Sequence, residues 1–460
     1  MQAVVINSTG GPEVLQLVQE HPIPKRAAGQ VLVRITSSSV NPVDTQLRAG
    51  TLPETVGGPN ALDGKYPKVL GGDLAGTVEE ADEGSQFKKG DAVAALTPYF
   101  WHDTQQGTYA QYAVAEESHL ARVPAAVDPA VAGGLPLVAL TAWQALQEGK
   151  PQSGQRVLVL AASGGVGHMA VQLGKSLGLT VVAVAGPSNA AWAKEALGAD
   201  EVVDYTKQDF AEVYRQQPFD IAIDCLPDAL DKCLSVLKPT GHYSHIQNLG
   251  TDPAVMQRLR QQHEAGKGPS ISHIFVTPNG AQLEHVLQLM ADGKVKLEVA
   301  KVFPLSEVAD AHRQVETGHT RGKVVLQDLG SKPVAPQYFA PGQSVWRSNW
   351  LLLKGNVWYV AATVLTYVCN YTVFPGFITY VVPFPALGSW YSLLLVATYG
   401  IGDVTGKLLP LWRPARPQAT VLGLAVARLL LFLALFSVAL LLQAGPYVFF
   451  PAVELGGCYK

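Results

Sequence analysis

Residues 157–167 read Val-Leu-Val-Leu-Ala-Ala-Ser-Gly-Gly-Val-Gly, an apolar run that breaks straight into a glycine-rich turn, with an amphipathic helical stretch following from Met169 to Leu177. A continuous apolar run of this length fits a strand buried on both faces, the kind found in parallel sheets covered by helices. The order of strand, glycine turn and helix is also what a dinucleotide pyrophosphate requires. Gly164 lets backbone approach the phosphates, Gly167 lets the helix pack against the strand, and the helix N-terminus offers unpaired N–H groups to an anion. Ser163, Gly164, Gly165 and Val166 are the expected cofactor contacts of this turn. Ala162 stands where the first glycine of G-x-G-x-x-G is usual.

A second apolar run, Thr180 to Ala185, follows at the spacing of a βαβ unit and ends at Gly186-Pro187-Ser188-Asn189. A carboxylate at that strand end would hold the ribose 2′-hydroxyl of NAD and repel the 2′-phosphate of NADP. None is present, so NADPH is the expected cofactor. Gly186, Ser188, Asn189 and Tyr205 are the nearby candidates for the 2′-phosphate end, with Lys194 further along.

The 460-residue chain is long enough for two or three domains. Its net charge of −3 and its 48% hydrophobic content fit neither a disordered chain nor a nucleic-acid binder. Residues 1–125 show short apolar runs separated by Gly, Pro and Asp, the pattern of a small β-rich domain. Residues 126–266 alternate strands and helices, as a doubly wound parallel sheet does. Residues 267–328 return to short strands plus two helices, Ala281 to Asp292 and Leu305 to Glu316. They close on Lys323-Val324-Val325-Leu326, a strand able to rejoin the first domain. A proline-containing linker is expected over 329–348.

Residues 349–445 hold three long apolar segments, about Asn356 to Val381, Trp390 to Leu409 and Ala419 to Leu442, the third with Arg428 as its single charge. Each is long enough to cross a bilayer as a helix, and buried core helices are the alternative. The loop between the second and third segments carries Arg413 and Arg416, whereas Val382 to Ser389 is uncharged. The excess of positive charge on the cytosolic side then sets the N-terminal part in the cytosol. The expected architecture is α/β, followed by an all-α transmembrane region.

Four scattered cysteines, with no C-x-x-C and no paired histidine spacing, argue against a disulfide framework and against a structural zinc site. A reducing compartment is expected. Met1 leads directly into strand-like sequence, so no signal peptide is expected.

Several stretches carry a resemblance to a family. They are Ser39-Val40-Asn41-Pro42-Val43-Asp44, Leu70-Gly71-Gly72-Asp73-Leu74-Ala75-Gly76, Phe87-Lys88-Lys89-Gly90-Asp91-Ala92-Val93, Leu135 to Ala142, Ala161 to Gly167, and Leu197-Gly198-Ala199-Asp200. Through them residues 1–328 resemble the medium-chain dehydrogenase/reductase family, in its zinc-free quinone oxidoreductase and enoyl reductase-like branch. The resemblance implies a GroES-like β-rich domain with a Rossmann domain. It also implies NADPH-dependent hydride transfer to a quinone or an α,β-unsaturated carbonyl compound. Zinc-dependent relatives place a Cys near position 41 and a His-Glu pair where Gly72-Asp73 stand, so no metal is expected here.

The same resemblance sets Asn41 and Thr141 at the nicotinamide end. Locally, Asn41 is also suited to build a turn before Pro42, and Thr141 to cap a helix. Phe275-Val276-Thr277 resembles the segment that meets the nicotinamide carboxamide, and Tyr205 and Lys323 resemble residues near the cofactor phosphates. Asp44 is either a proton donor to the reduced acceptor or a carboxylate that orders its own loop. A homodimer is a further expectation.

Residues 350–445 resemble part of an equilibrative nucleoside transporter, through Thr372-Val373-Phe374-Pro375-Gly376, Gly402-Asp403-Val404-Thr405-Gly406-Lys407 and Ala427-Arg428-Leu429. A multi-pass membrane protein with its oxidoreductase part in the cytosol is the resulting expectation, or a cytoplasmic enzyme if the tail is a joined gene model. The alternative functions are a transporter-related protein with a non-catalytic nucleotide-sensing domain and a binding-only member of the reductase family.

Overall fold

In the computed structural model the strand Arg156–Val159 lies inside a six-stranded, all-parallel sheet. The strand order is Glu201–Asp204, Thr180–Ala185, Arg156–Val159, Phe219–Asp224, Leu237–His245, Ser270–His273. The structure describes residues 1–329 apart from 53–57, 59–60, 63–64, 99–105, 247–252 and 328. The three apolar segments of 349–445, the linker at 330–348 and the loop residues Tyr99 and His102 fall outside the described residues.

Alternate residues of the central strand enter different cores. Val157 and Val159 pack with Val181, Ala183, Ile221 and Ile223, whereas Leu158 and Leu160 pack with Val182, Val184 and Ala222. Both faces are apolar, which is why the run is continuous in sequence. The chain first winds from Arg156 outwards to Glu201–Asp204, then crosses to Phe219 on the other flank. Reversal of strand order at such a point opens a crevice at the C-terminal strand ends.

The expected boundary at residue 266 is corrected by the sixth strand. Ser270–His273 pairs in register with His242–His245, so it belongs to the parallel sheet. As an edge strand it is only half-buried, and its Ser-Ile-Ser-His sequence lacks the apolar run that marks an inner strand.

A seven-stranded sheet forms the β-rich body. Val299–Pro304, Lys323–Gln327, Gln30–Val40, Asp73–Glu80, Ala92–Leu96 and Leu120–Arg122 lie in that order, and Tyr112–Glu116 also pairs with Gln30–Val40. The final strand runs antiparallel to Ser37–Val40, with Val324 opposite Val40. That register brings Lys323 to the residues that open the helix Pro42–Ala49.

The helix after the glycine turn spans Gly165–Ser176, four residues earlier than the expected start at Met169. Gly165 and Gly167 look like turn residues in sequence, yet here they form the helix's first turn. A Cβ on Gly167 would lie 2.2 Å from the carbonyl oxygen of Ala161. Ala161 itself has a φ of 49°, a left-handed conformation that a residue with a side chain seldom adopts. On Gly164 a Cβ would meet only that same oxygen, at 3.3 Å.

Gly167→Ala is therefore expected to push the helix off the strand and cost about 1–3 kcal/mol of stability, the usual range for overpacking. Gly164→Ala is expected to cost less. Urea unfolding of the full chain checks both, and equal stabilities for Gly167→Ala and the parent would contradict the packing argument.

Candidate active site

The strand ends and the glycine turn surround a cavity of about 430 Å³. Gly164, Gly165, Val166 and Gly167 line it from the turn, Cys225 and Leu226 from the end of Phe219–Asp224, and His273, Phe275 and Val276 from the end of the edge strand. Asn41, Thr141 and Lys323 line it from three further elements. Gly165, Val166 and Gly167 occupy the first helical turn, where amide N–H groups have no intrahelical acceptor. Open space over Gly164, free amides and an apolar wall fit a pyrophosphate and an attached ring system.

His168 ties this turn to the rest of the site. Its Nδ1 hydrogen-bonds the carbonyl oxygen of Gly164 at 2.8 Å, and its Nε2 accepts from the backbone N–H of Glu298 at 3.2 Å. Those two roles require a neutral ring, and burial pulls its pKa down to about 4. Glu298 in turn accepts from the backbone N–H of Lys323 at 2.8 Å, and Gly322 donates to the carbonyl of Ser163 at 2.9 Å. The chain before the last strand is thus stitched to the glycine turn.

At the other end stands a fully buried carboxylate, Asp73. Its Oδ2 accepts from Ser39 Oγ at 2.6 Å and from Asn41 Nδ2 at 2.7 Å, and its Oδ1 accepts from the backbone N–H of Leu137 at 2.7 Å. Leu137 lies in the first turn of the helix Pro136–Glu148, where an anion is favoured. The Lys323 ammonium is 3.9 Å from Asp73 and donates to the carbonyl of Val40 at 3.0 Å and to Asn41 Oδ1 at 2.5 Å. Burial raises the Asp73 pKa and lowers that of Lys323, and each charge opposes the shift of the other. The two partners fix the Asn41 amide unambiguously, oxygen to the ammonium and nitrogen to the carboxylate.

The sequence-derived candidates divide by location. Asn41 both precedes the helix Pro42–Ala49 as its N-cap and lines the cavity, so the two sequence-level readings of it are compatible. Thr141 is not a helix cap; it sits within Pro136–Glu148, and its hydroxyl donates to the carbonyl of Leu137 at 2.6 Å. Asp44 is fully buried and is not part of the cavity wall. Its Oδ2 accepts from the Asn41 backbone N–H at 2.7 Å, and burial first, with the Asp73 charge adding to it, pushes its pKa up to about 7. Thr277 has both backbone groups taken by Gln144, at 3.0 and 2.8 Å, and lies off the wall, unlike Phe275 and Val276.

Gly186, Ser188, Asn189 and Tyr205 gather away from this cavity, at the end of Thr180–Ala185. A Cβ on Gly186 would lie 3.3 Å from the Tyr205 hydroxyl, and Tyr205 and Ser188 are exposed. Register places one acid nearby after all: Asp204 pairs with Ala185 on the neighbouring strand. It is engaged by Thr206 at 2.7 Å and by Lys207 at 3.0 Å. Ser163 contributes its carbonyl to Gly322, as above.

Two residues with large roles in this geometry, Asp73 and His168, were not among the expected site residues. A carboxylate inside Leu70-Gly-Gly-Asp-Leu-Ala-Gly is the signal that points to the first, since an acid amid apolar and glycine residues must find partners when buried. For His168 the sequence holds no comparable signal, because its partner Glu298 lies on a distant segment.

Residues 27–125 match the family model described as alcohol dehydrogenase GroES-like domain, and residues 197–326 match the one described as zinc-binding dehydrogenase. The chain is 31% identical over 362 residues to "NAD(P)H oxidoreductase RTN4IP1, mitochondrial" of Homo sapiens, covering 71% of this chain and 89% of that protein. It is 32% identical over 335 residues to "NADPH-dependent alkenal/one oxidoreductase, chloroplastic" of Arabidopsis thaliana, covering 72% and 80% respectively. Among solved structures, the quinone oxidoreductase from Coxiella burnetii matches with a TM-score of 0.63 and 30% identity, over 71% of this chain and 99% of that one.

Removing either charge of the buried pair strands the other. Asp73→Asn and Lys323→Met are each expected to cost about 3–5 kcal/mol, and the double variant less than the sum. Urea unfolding of the full chain measures the cycle, and simple additivity would contradict a direct coupling. Acid acts through His168: the unfolded ring takes up a proton near its ordinary value of 6.5, whereas the folded ring resists protonation down to about 4. Stability is therefore expected to fall as pH drops through that window, and less steeply in His168→Asn. An equally steep fall in both would contradict this role.

Proposed function

Because the chain belongs to the medium-chain dehydrogenase/reductase family, we propose that it is an NADPH-dependent, zinc-independent enzyme that delivers hydride to a quinone or to the β-carbon of an α,β-unsaturated carbonyl compound. Membership itself makes the chain an oxidoreductase that works with a nicotinamide cofactor. The proposal concerns which cofactor, which acceptor, and how the site operates without a metal.

The observation that carries it is the buried Asn41–Asp73–Lys323 network on the cavity wall. It occupies the positions where zinc-dependent relatives are expected to hold their ligands. The donor set offers an amide, one carboxylate and a serine hydroxyl, with no thiolate or imidazole. An ammonium already neutralises that carboxylate, so a metal ion placed there would face a fixed positive charge. The names of relatives support the acceptor class, one being an NADPH-dependent alkenal/one oxidoreductase and another a quinone oxidoreductase.

The bound nicotinamide supplies the hydride, and the protein supplies position. In this reading the amides of the Ser163–Val166 turn hold the pyrophosphate, and Gly186, Ser188, Asn189 and Tyr205 receive the ribose 2′-phosphate. Phe275 and Val276 flank the nicotinamide, with Thr277 locked behind them by Gln144. Asn41 and Thr141 shape the reacting end, and Asp44 holds the Asn41 backbone rather than touching the acceptor. Val43, Leu52 and Val315 give that end an apolar lining that excludes water from the acceptor.

We also propose that the apolar segments within 349–445 tether the enzyme to a membrane, a reading supported by their length and sparse charge. The transport alternative draws no support from the two family models, which match residues 27–125 and 197–326. Membrane fractionation of cells expressing the full chain tests the tether: it is expected in the pellet after an alkaline carbonate wash, and recovery in the supernatant would contradict it.

The enzymatic reading is tested by cofactor consumption of the purified full chain against matched quinone, enone and saturated aldehyde panels. NADPH oxidation is expected with the first two and not the third, and NADH is expected to serve less well. Ser188→Glu is expected to weaken NADPH binding about tenfold by charge repulsion, leaving NADH binding nearly unchanged. Absence of turnover across both acceptor panels, despite NADPH binding, would overturn the reading.

A further inference from the structure

The edge strand Ser270–His273 ends on the cavity wall, where His273 presents two unlike nitrogens. Nδ1 is sealed from solvent and has no hydrogen-bond partner among the described residues. Nε2 likewise has no hydrogen-bond partner among the described residues, yet it is not sealed. A sealed, unpaired N–H costs more than a sealed, unpaired lone pair. The ring is therefore neutral, with its single proton on the open Nε2. Burial, reinforced by His245 and Arg260, pulls its pKa down to about 4, which keeps it in that form at neutral pH.

Packing holds the ring still. Phe275 meets it edge-on with centroids 4.1 Å apart, and His245 does so at 5.8 Å. His245 stacks on Tyr243 at 5.9 Å, and the Tyr243 hydroxyl donates to Asp224 at 2.7 Å. The other polar groups of the cavity are largely committed. The Asn41 amide is engaged at both ends, the Thr141 and Thr320 hydroxyls donate to backbone carbonyls, and Lys323 spends two of its three N–H groups on Val40 and Asn41. Among the described residues that line the cavity, the Gln46 amide is also uncommitted but sits on a longer, rotatable side chain, and His273 offers the one ring N–H that no protein acceptor takes.

We propose that His273 donates this N–H to the carbonyl oxygen of the acceptor, stabilising the negative charge that develops there as hydride arrives. The assignment rests on the reductase reading above. The acceptor gains a hydride from the reduced nicotinamide and a proton from water, the nicotinamide is oxidised by two electrons, and His273 keeps its own proton throughout. A neutral donor on a mostly apolar wall suits this task, because it strengthens its bond to the oxygen only as charge appears.

Two variants of the full chain test it. His273→Phe keeps the ring and loses the donor, whereas His273→Gln keeps an N–H of similar reach. Steady-state kinetics with a cyclic enone and with a p-benzoquinone are paired with NADPH affinity from fluorescence titration. His273→Phe is expected to lower kcat/KM for both acceptors by about 10²–10³, the range for losing one oxyanion donor. NADPH affinity is expected to stay within about twofold, and Gln to restore most of the loss.

The proposal is overturned if Phe matches the parent, if its loss is explained by weakened NADPH binding, or if Gln is as damaged as Phe. A parent that turns over neither acceptor contradicts the reductase reading instead. The donor assignment is then judged by titrating cyclohexanone into the NADP⁺ complex, where His273→Phe must weaken binding at least about tenfold. Equal binding by parent and variant overturns the assignment.

Discussion

Asp73 is the point on which the site depends. Burying a carboxylate costs several kcal/mol unless it finds partners, and here four partners come from three separate stretches: Ser39 and Asn41, the N–H of Leu137, and the ammonium of Lys323. The cost of desolvating Asp73 is offset only when the β-rich body, the helix that carries Thr141 and the returning last strand all reach their places. One residue therefore couples the completion of the fold to the geometry of the cavity. The same contacts orient the Asn41 amide.

That coupling explains the division of labour along the cavity. At one end the backbone dominates: a left-handed Ala161, a close-packed Gly167 and the free amides of a helix start, held by His168. At the other end side chains dominate, in a network whose donors and acceptors are nearly all matched. Between them the wall is mostly apolar, so the few uncommitted polar atoms, His273 Nε2 foremost, carry the greatest weight in recognising an acceptor.

Much of this was legible in the sequence wherever local rules decide the outcome. The run at 157–160 announces a strand buried on both faces, the glycines after it announce a close-packed turn, and the acid-free end of Thr180–Ala185 is visible directly. Legibility failed where structure depends on register between distant segments. Ser270–His273 is short and polar, and becomes a strand only because Leu237–His245 offers an open edge. Asp204 approaches the end of Thr180–Ala185 through pairing with Ala185, which no local pattern encodes. His168 and Asp73 look like ordinary polar residues until Glu298, Asn41 and Lys323 are brought to them. Gly165 looks like part of a turn, yet it begins a helix, because a missing side chain signals both a break and a close approach.

The proposed reaction is metal-independent transfer of hydride from a nicotinamide to an electron-poor carbonyl acceptor within this cavity. Its most direct test follows the hydrogen itself: the full chain, exhaustively treated with chelator, is incubated with NADPH deuterated at C4 and an enone, and the product is analysed by mass spectrometry and NMR. Deuterium is expected at the β-carbon of the saturated product, at a rate that added zinc does not raise. Transfer that appears only when zinc is restored, or product whose β-hydrogen comes from water, would contradict it.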